Sequence, residues 1–353
     1  MLSATEKALR KLIKEQQSLN PSRVTELDGV PSPAAFSRFV AGNRPVVMRG
    51  AGRELQIPAL ERWSDEYLVE KLAERELDIS ATPEGNADAI VDGVFVEPAS
   101  VKMTLSTLFA HLRQEQDSPD ADRPVYYLQS QNGNLADEYA PLQDDVGREG
   151  PAFAREVFGQ PPDVANVWIG GCRSKTSLHK DPYENLYLVV RGTKTFTLFP
   201  PSEAYCMHEQ LFPHATYTFD PTSSSSPSPF SISLTSPPVH LPWIPINLDA
   251  PSRSQHPRFS LARPLRVTLH SGDMLYLPAL WFHRVEQDVG PGPGPGSAGE
   301  GRTQAAIAVN WWTDLDFGAP VWGLFGLVRR LTMALDGRED EEEGGASSEE
   351  EGL

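Results

Sequence analysis

The chain has 353 residues, 48 of them acidic and 31 basic, for a formal net charge of −17. That balance excludes the clustered Lys and Arg with which electrostatic nucleic-acid binders neutralise phosphates, so no direct contact with nucleic acid is expected. Eight acids and no Lys or Arg fall between 339 and 353, which leaves nine net negative charges on the preceding residues and an acidic body that prefers basic partners.

Apolar residues make up 39% of the chain, enough for a core. At roughly 100 to 200 residues per domain, the length fits one large domain with an extension, or two modest ones. Two cysteines, Cys172 and Cys206, are too few for a disulfide framework or a Cys-rich zinc module, and suggest a reducing compartment. The opening MLSATEKALRKLIKEQQ interleaves charges with its leucines, unlike a secretory signal, and Glu6 and Glu15 argue against a transit peptide. No apolar run approaches the roughly 18 residues of a membrane span. The expected setting is cytoplasmic or nuclear, away from membranes.

Ser3 and Glu6 form a capping-box pattern ahead of Leu9, Leu12 and Ile13, which predicts an amphipathic first helix. A second helix is expected from Ser32 as N-cap and Pro33 at its first position, burying Phe36, Phe39 and Val40 before Asn43-Arg44-Pro45 ends it. Val46 to Met48 reads as a short buried strand, and Leu105, Leu108, Phe109 and Leu112 mark a further helix. From about Val125 the pattern turns to strands: 125–129, 165–169, 185–190, 194–199, 266–269, 274–277 and 306–312. Many short strands between turn signals predict a mainly β sandwich or barrel. Arg191-Gly192, between two alternating runs, predicts a hairpin turn.

Two stretches, Ser/Pro-rich 220–238 and GPGPGPG-bearing 290–301, have compositions that cannot offset their ordering entropy and are expected not to fold. Val321, Leu324, Phe325, Val328, Leu331 and Leu335 recur at helical steps, either as a helix packed on its own barrel or as a dimerisation helix. The division expected is therefore a helical region over 1–120, a β domain over 121–335 and a disordered acidic tail over 336–353.

Chemistry concentrates in Thr176-Ser177-Leu178-His179-Lys180-Asp181. On a strand, His179 and Asp181 would point to one face and offer an imidazole nitrogen and a carboxylate oxygen to one ion. A third ligand has to come from elsewhere, and His283, at the end of GDMLYLPALWFH, is the candidate. Two histidines and one carboxylate make the facial set of non-haem Fe(II) oxygenases, with positions left open for a chelating keto acid and dioxygen. Lys194 shares strand parity with Phe196 and Leu198, so it should point inward, where a lysine is costly without an anion. The distal carboxylate of 2-oxoglutarate would supply one, with the hydroxyls of Thr176 and Tyr127 as further donors. Ala306, Ala308 and Asn310 put small side chains and an amide on one face of the last strand. The fragment His208-Glu209-Gln210-Leu211-Phe212 has Phe where a zinc-peptidase motif needs its second His.

The spacing of Thr176, His179, Asp181, Asn185, Lys194, His283 and Asn310, within TSLHKDPYENLYLVVRGTKTFTLFPPS, GDMLYLPALWFHRV and IAVNWW, resembles the JmjC family of 2-oxoglutarate oxygenases. Within it the chain is most similar to the small cupin-like hydroxylase branch, from about residue 31 to about 316. The resemblance implies a double-stranded β-helix, with Fe(II) on His179, Asp181 and His283 and 2-oxoglutarate held by Tyr127, Thr176 and Lys194. It places Asn185 and Asn310 in the cofactor pocket and makes O2 the oxidant. It also implies C-3 hydroxylation of a lysyl residue in a protein, with developmentally regulated GTP-binding proteins as partners. Tyr183 and Glu184 are candidates to meet that lysine. A histone lysine demethylase, a metallopeptidase and a non-catalytic cupin remain the competing readings.

Overall fold

The computed structural model describes residues 2–117, 123–129, 133–222, 228–289 and 305–338. Two facing sheets form its centre. The larger has nine strands, in the order Thr25–Asp28, Val46–Arg49, Met274–Leu277, Tyr183–Arg191, Ala306–Asp314, Val164–Gly170, Val125–Gln129, Leu77–Thr82 and Ala99–Met103. The smaller has five, in the order Leu265–His270, Thr193–Phe199, Phe282–Asp288, Lys175–Thr176 and Asn86–Ala87. Tyr187, Val189, Leu275, Leu277 and Ala308 of the first sheet meet Phe196, Leu198, Val267 and Leu269 of the second, filling the space between them. The result is a jelly-roll barrel of the double-stranded β-helix type.

The larger sheet is covered on its outer face as well. Leu186, Leu188 and Val190 turn away from the barrel onto Phe36, Leu68, Leu108 and Phe109 of the flanking helices. Both faces being buried, the run from Leu186 to Val190 is apolar at every position. The same alternation sends Val46 and Met48 outward to the helices and Val47 inward.

The Ala4–Leu19 helix starts at the capping box: Ser3 Oγ accepts from the Glu6 N–H at 3.1 Å, and the Glu6 carboxylate accepts from the Ser3 N–H at 2.8 Å. It buries Leu9 and Ile13 against Phe199, Cys206 and Phe282. The Pro33–Ala41 helix, capped by Ser32, buries Phe36 edge-on to Phe153 and Tyr276. The region before residue 120 is not purely helical, since four of its strands pair into the large sheet and so leave no boundary there.

The expected hairpin at Arg191-Gly192 does not form. Tyr183–Arg191 pairs with Met274–Leu277 and Ala306–Asp314, whereas Thr193–Phe199 pairs with Leu265–His270 and Phe282–Asp288, so the chain crosses at Gly192 from one sheet to the other. Gly192 has φ of 69°, and a Cβ there would stand 2.7 Å from the Asp288 carbonyl oxygen. Alternating runs around one glycine look alike whether the chain folds back or passes to a stacked sheet.

Part of the 220–238 stretch also folds. Phe230–Leu234 pairs with Gln210–Phe219, with Phe219 and Phe230 at 4.8 Å between ring centres, and only 223–227 lie outside the described residues. Phe230, Ile232 and Leu234 alternate with serines, a strand pattern that the Ser/Pro composition masks. The Gly/Pro run at 290–301 and the acidic residues from 339 lie outside the described residues. The Pro320–Leu335 helix packs on its own barrel through Val328, next to Leu9, Ile13 and Met207, with Leu324, Leu327 and Leu331 turned outward. Among the described residues no helix is long and apolar enough to cross a membrane.

Candidate active site

Residues 177–182 form an extended connection and not a strand, correcting the sequence expectation, yet the connection is fixed as firmly as one. His179 makes an isolated antiparallel bridge with His283, each N–H donating to the other's carbonyl at 3.0 and 2.7 Å. Two residues on, the Asp181 carbonyl accepts from the Leu280 N–H at 2.8 Å. The imidazoles are oriented alike: His179 Nδ1 lies 2.8 Å from the Ser177 carbonyl oxygen, and His283 Nδ1 lies 3.0 Å from that of Trp281. A carbonyl can only accept, so each ring donates from a protonated Nδ1 and turns its Nε2 to the cavity. Asp181 Oδ2 stands 3.9 Å from His179 Nε2 and 3.5 Å from His283 Nε2.

The three ligand atoms lie within 4.8 Å of one another, and this is the one such group among the described residues. Burial pushes the His283 imidazole down to about pKa 4, aided by neighbouring His179, so it is neutral and available as a ligand. Trp243 lies parallel to His179 with ring centres 6.1 Å apart and donates from Nε1 to Ser177 Oγ at 3.0 Å.

Lys194 is fully buried, on the same side of its strand as Phe196 and Leu198, as its parity predicted. Its Nζ donates to Gln287 Oε1 and lies 3.4 Å from Tyr127 Oη, while Gln287 Nε2 is held by the Gly171 carbonyl at 2.8 Å. No carboxylate of the described residues reaches it. Burial lowers the ammonium to about pKa 7. A buried lysine with only neutral partners is a cation site built without its anion.

Tyr127, Thr176, Asn185, Asn310 and the three candidate ligands all line one cavity of about 280 Å³, and Lys194 sits behind Tyr127. Thr176 Oγ1 accepts from the Val285 N–H at 2.9 Å. Trp168 Nε1 donates to Asn310 Oδ1 at 2.8 Å, and Asn310 Nδ2 donates to Asn185 Oδ1 at 3.1 Å, a relay that fixes both amides. Tyr183 stacks on the cavity-lining Trp312, ring centres 4.7 Å apart. Glu184 does not reach the mouth: one residue along the strand it faces the other way, accepting from Tyr276 Oη at 2.7 Å and the Ala279 N–H at 3.3 Å. His208 and Glu209 lie outside the cavity. Glu209 is locked between Lys180 and Arg329 at 2.6 and 2.7 Å, so this pair offers no peptidase centre.

The sequence reading missed Gln287, Asp88, Phe95, Glu97, Trp168, Tyr187 and Trp243. Gln287 had a signal, standing two steps of two beyond His283 on the same face. Phe95, Glu97 and Trp243 had none, because a third sheet brings them in. Gln210–Phe219 pairs with Val94–Glu97 on one side and with His240–Trp243 at its start, which forms one wall of the cavity. Asp88 stands at the corner of that wall. Burial, with Glu97 and Asp181 nearby, raises its carboxyl to about pKa 6.

A jelly-roll barrel with two histidines and an aspartate at its mouth and a buried lysine behind them defines a cupin-type oxygenase architecture, and the Cupin-like domain matches residues 32–318. The chain belongs to the cupin-like JmjC family of 2-oxoglutarate-dependent dioxygenases. It is 36% identical over 315 residues to the human bifunctional peptidase and (3S)-lysyl hydroxylase JMJD7, covering 89% of this chain and 91% of that protein. JmjC domain-containing protein E of Dictyostelium discoideum is 31% identical over 314 residues, 84% of this chain and 86% of the relative. Lysine-specific demethylase JMJ32 of Arabidopsis thaliana is 32% identical over 360 residues, 97% and 99% of the two chains.

Proposed function

We propose that the protein hydroxylates C-3 of a lysyl residue in a protein substrate, using Fe(II) on His179, Asp181 and His283 and 2-oxoglutarate anchored on Lys194. The observation that carries this reading is the buried Lys194, without a carboxylate partner among the described residues and next to the cavity that holds the three ligand atoms. The donor set also fits: two imidazoles and one carboxylate on one side suit Fe(II) and leave room for a chelating acid. When bound, the metal and its co-substrate supply the oxidation of an unactivated C–H bond by O2.

The protein's own part is placement. Lys194 and Tyr127 receive the distal carboxylate, with Thr176 beside them. Asn185 and Asn310, held by Trp168, present fixed amides to the cavity. Trp243 and Trp312 wall off water on the open side. A lysyl target is supported by the lysyl hydroxylase activity in the human relative's name and by the acidic body. Within that class, the family resemblance favours developmentally regulated GTP-binding proteins, met in the cytoplasm or nucleus.

The Arabidopsis relative's name supports demethylation as a second reading of the same centre. The two part on product mass. Protein with Fe(II), ascorbate and labelled 2-oxoglutarate should release carbon dioxide, and a lysine-bearing GTPase peptide should gain one oxygen. Loss of a methyl group from a methyl-lysyl peptide would favour the demethylase. No turnover on either, or peptide cleavage that survives His179→Ala, would overturn the hydroxylase.

A further inference from the structure

Two carboxylates in the cavity are left over once the metal and its co-substrate are accounted for. The charges of Fe(II) and Lys194 balance Asp181 and both carboxylates of 2-oxoglutarate. Asp88 and Glu97 line the same cavity, and among the described residues no Lys or Arg lines it with them. Resting on the lysyl reading, we propose that Asp88 and Glu97 form the subsite that receives the ε-ammonium of the target lysine, with Phe95 and Trp243 flanking its aliphatic stem.

The placement follows from strand register. Asn86–Ala87 pairs with Lys175–Thr176 in the barrel, whereas Ala89–Val91 pairs with Val94–Glu97 in the third sheet, so Asp88 is the residue at which the chain leaves one for the other. It takes φ of 52° to do so. Asp88 directly precedes the pair of Ala89 with Val96, the neighbour of Glu97, and the two carboxylates are close enough to repel each other unless a cation lies between them. The Asp88 main chain is fixed to the metal-ligand segment, its carbonyl accepting from Ser177 Oγ. Its carboxylate has no hydrogen-bond or ion-pair partner among the described residues. Glu97 stands 3.3 Å from His214 Nε2 and is half-exposed, so it lies toward the entrance.

The wall between the carboxylates and the metal ligands suits a butyl chain. Phe95 and Trp243 pack at 4.4 Å between ring centres, and Trp243 also covers His179. An aliphatic stem running along these rings would carry its C–H bonds past the metal side while its charged end meets Asp88. A neutral chain would leave the Asp88 carboxylate uncompensated, which makes the subsite selective as well as attractive.

The test uses two probes that differ only at the chain end, N-acetyl-lysine N-methylamide and the norleucine analogue. They are titrated into the full chain loaded with 2-oxoglutarate and Zn(II) in place of iron, with binding followed by ligand-observed NMR. The lysine probe should bind about tenfold tighter or better, as expected for a charge-assisted contact. Asp88→Asn should remove most of that preference, Glu97→Gln a smaller part, and Asp88→Glu should retain it, all with unchanged 2-oxoglutarate affinity. Equal binding of the two probes by the unmodified protein, or a preference undiminished in the double variant, overturns the subsite. The two proposals fail separately: a double variant that hydroxylates a lysyl protein as well as the parent sinks the subsite alone, and a lysine preference without hydroxylation of any lysyl protein sinks the activity alone.

Discussion

His179 and His283 are joined through their backbones before any metal is considered, each N–H donating to the other's carbonyl. Truncating either side chain leaves that bridge intact. His283→Ala should therefore keep the circular-dichroism spectrum and melt close to the parent while losing metal affinity by more than the roughly 10- to 100-fold of an outer-sphere change. Equilibrium dialysis with Fe(II) or Zn(II) measures it, and retained affinity would remove His283 from the ligand set.

Lys194 gives a prediction in which stability and binding move in opposite directions. Lys194→Met removes a buried ammonium and keeps most of the volume, so the protein free of co-substrate should be as stable as the parent or more so. Its 2-oxoglutarate requirement should rise at least about tenfold with metal binding spared, as a lost charge-assisted contact implies. An unchanged requirement would mean that the carboxylate is anchored elsewhere.

The same lysine sets a pH dependence. Burial lowers its pKa from the ordinary 10.5 to about 7, so between those values the unfolded chain binds a proton that the folded chain does not. Stability of the protein without co-substrate should then rise with pH over that window, and the rise should be smaller in Lys194→Met. Saturating 2-oxoglutarate keeps the ammonium charged in the folded state and should flatten the dependence. Urea melts at pH 7 and pH 9.5 test all three arms.

Gly192 is the crossing point between the sheets. Gly192→Ala places a Cβ 2.7 Å from the Asp288 carbonyl oxygen in a left-handed backbone conformation, and should cost about 1–3 kcal/mol in a denaturant melt. A neutral outcome would mean that the turn relaxes freely.

Gln287 is the fixed acceptor that aims Lys194 toward Tyr127. Gln287→Leu should raise the 2-oxoglutarate requirement while leaving metal affinity unchanged, a split that general unfolding would not produce. Restoring an acceptor with Gln287→Glu would pair the ammonium internally, and should weaken 2-oxoglutarate further.

Where local pattern decides, the sequence reading matched the structure. The capping box at Ser3, the Pro33 helix and the inward parity of Lys194 came from residues within a few positions, whereas the meeting of His283 with His179 and Asp181 came from the family resemblance. The errors have other causes. The strand partners of Thr193–Phe199 and the approach of Val94–Glu97 to Gln210–Phe219 depend on pairing between segments far apart in the chain, which no local alternation encodes, whereas the nearby strand Phe230–Leu234 was hidden by its Ser/Pro composition. Glu184 was misplaced by a single step, because neighbouring residues on a strand face opposite ways.

The third sheet separates reaction from choice. The barrel holds every group proposed to act on iron or 2-oxoglutarate, whereas Phe95, Glu97, Leu241 and Trp243 hang from a pairing between segments 94–97 and 210–243. That makes the wall a replaceable part. Grafting both segments together from a relative of different preference should transplant the preference and leave the oxidative engine running. Grafting either alone would break the pairing that holds them against the cavity.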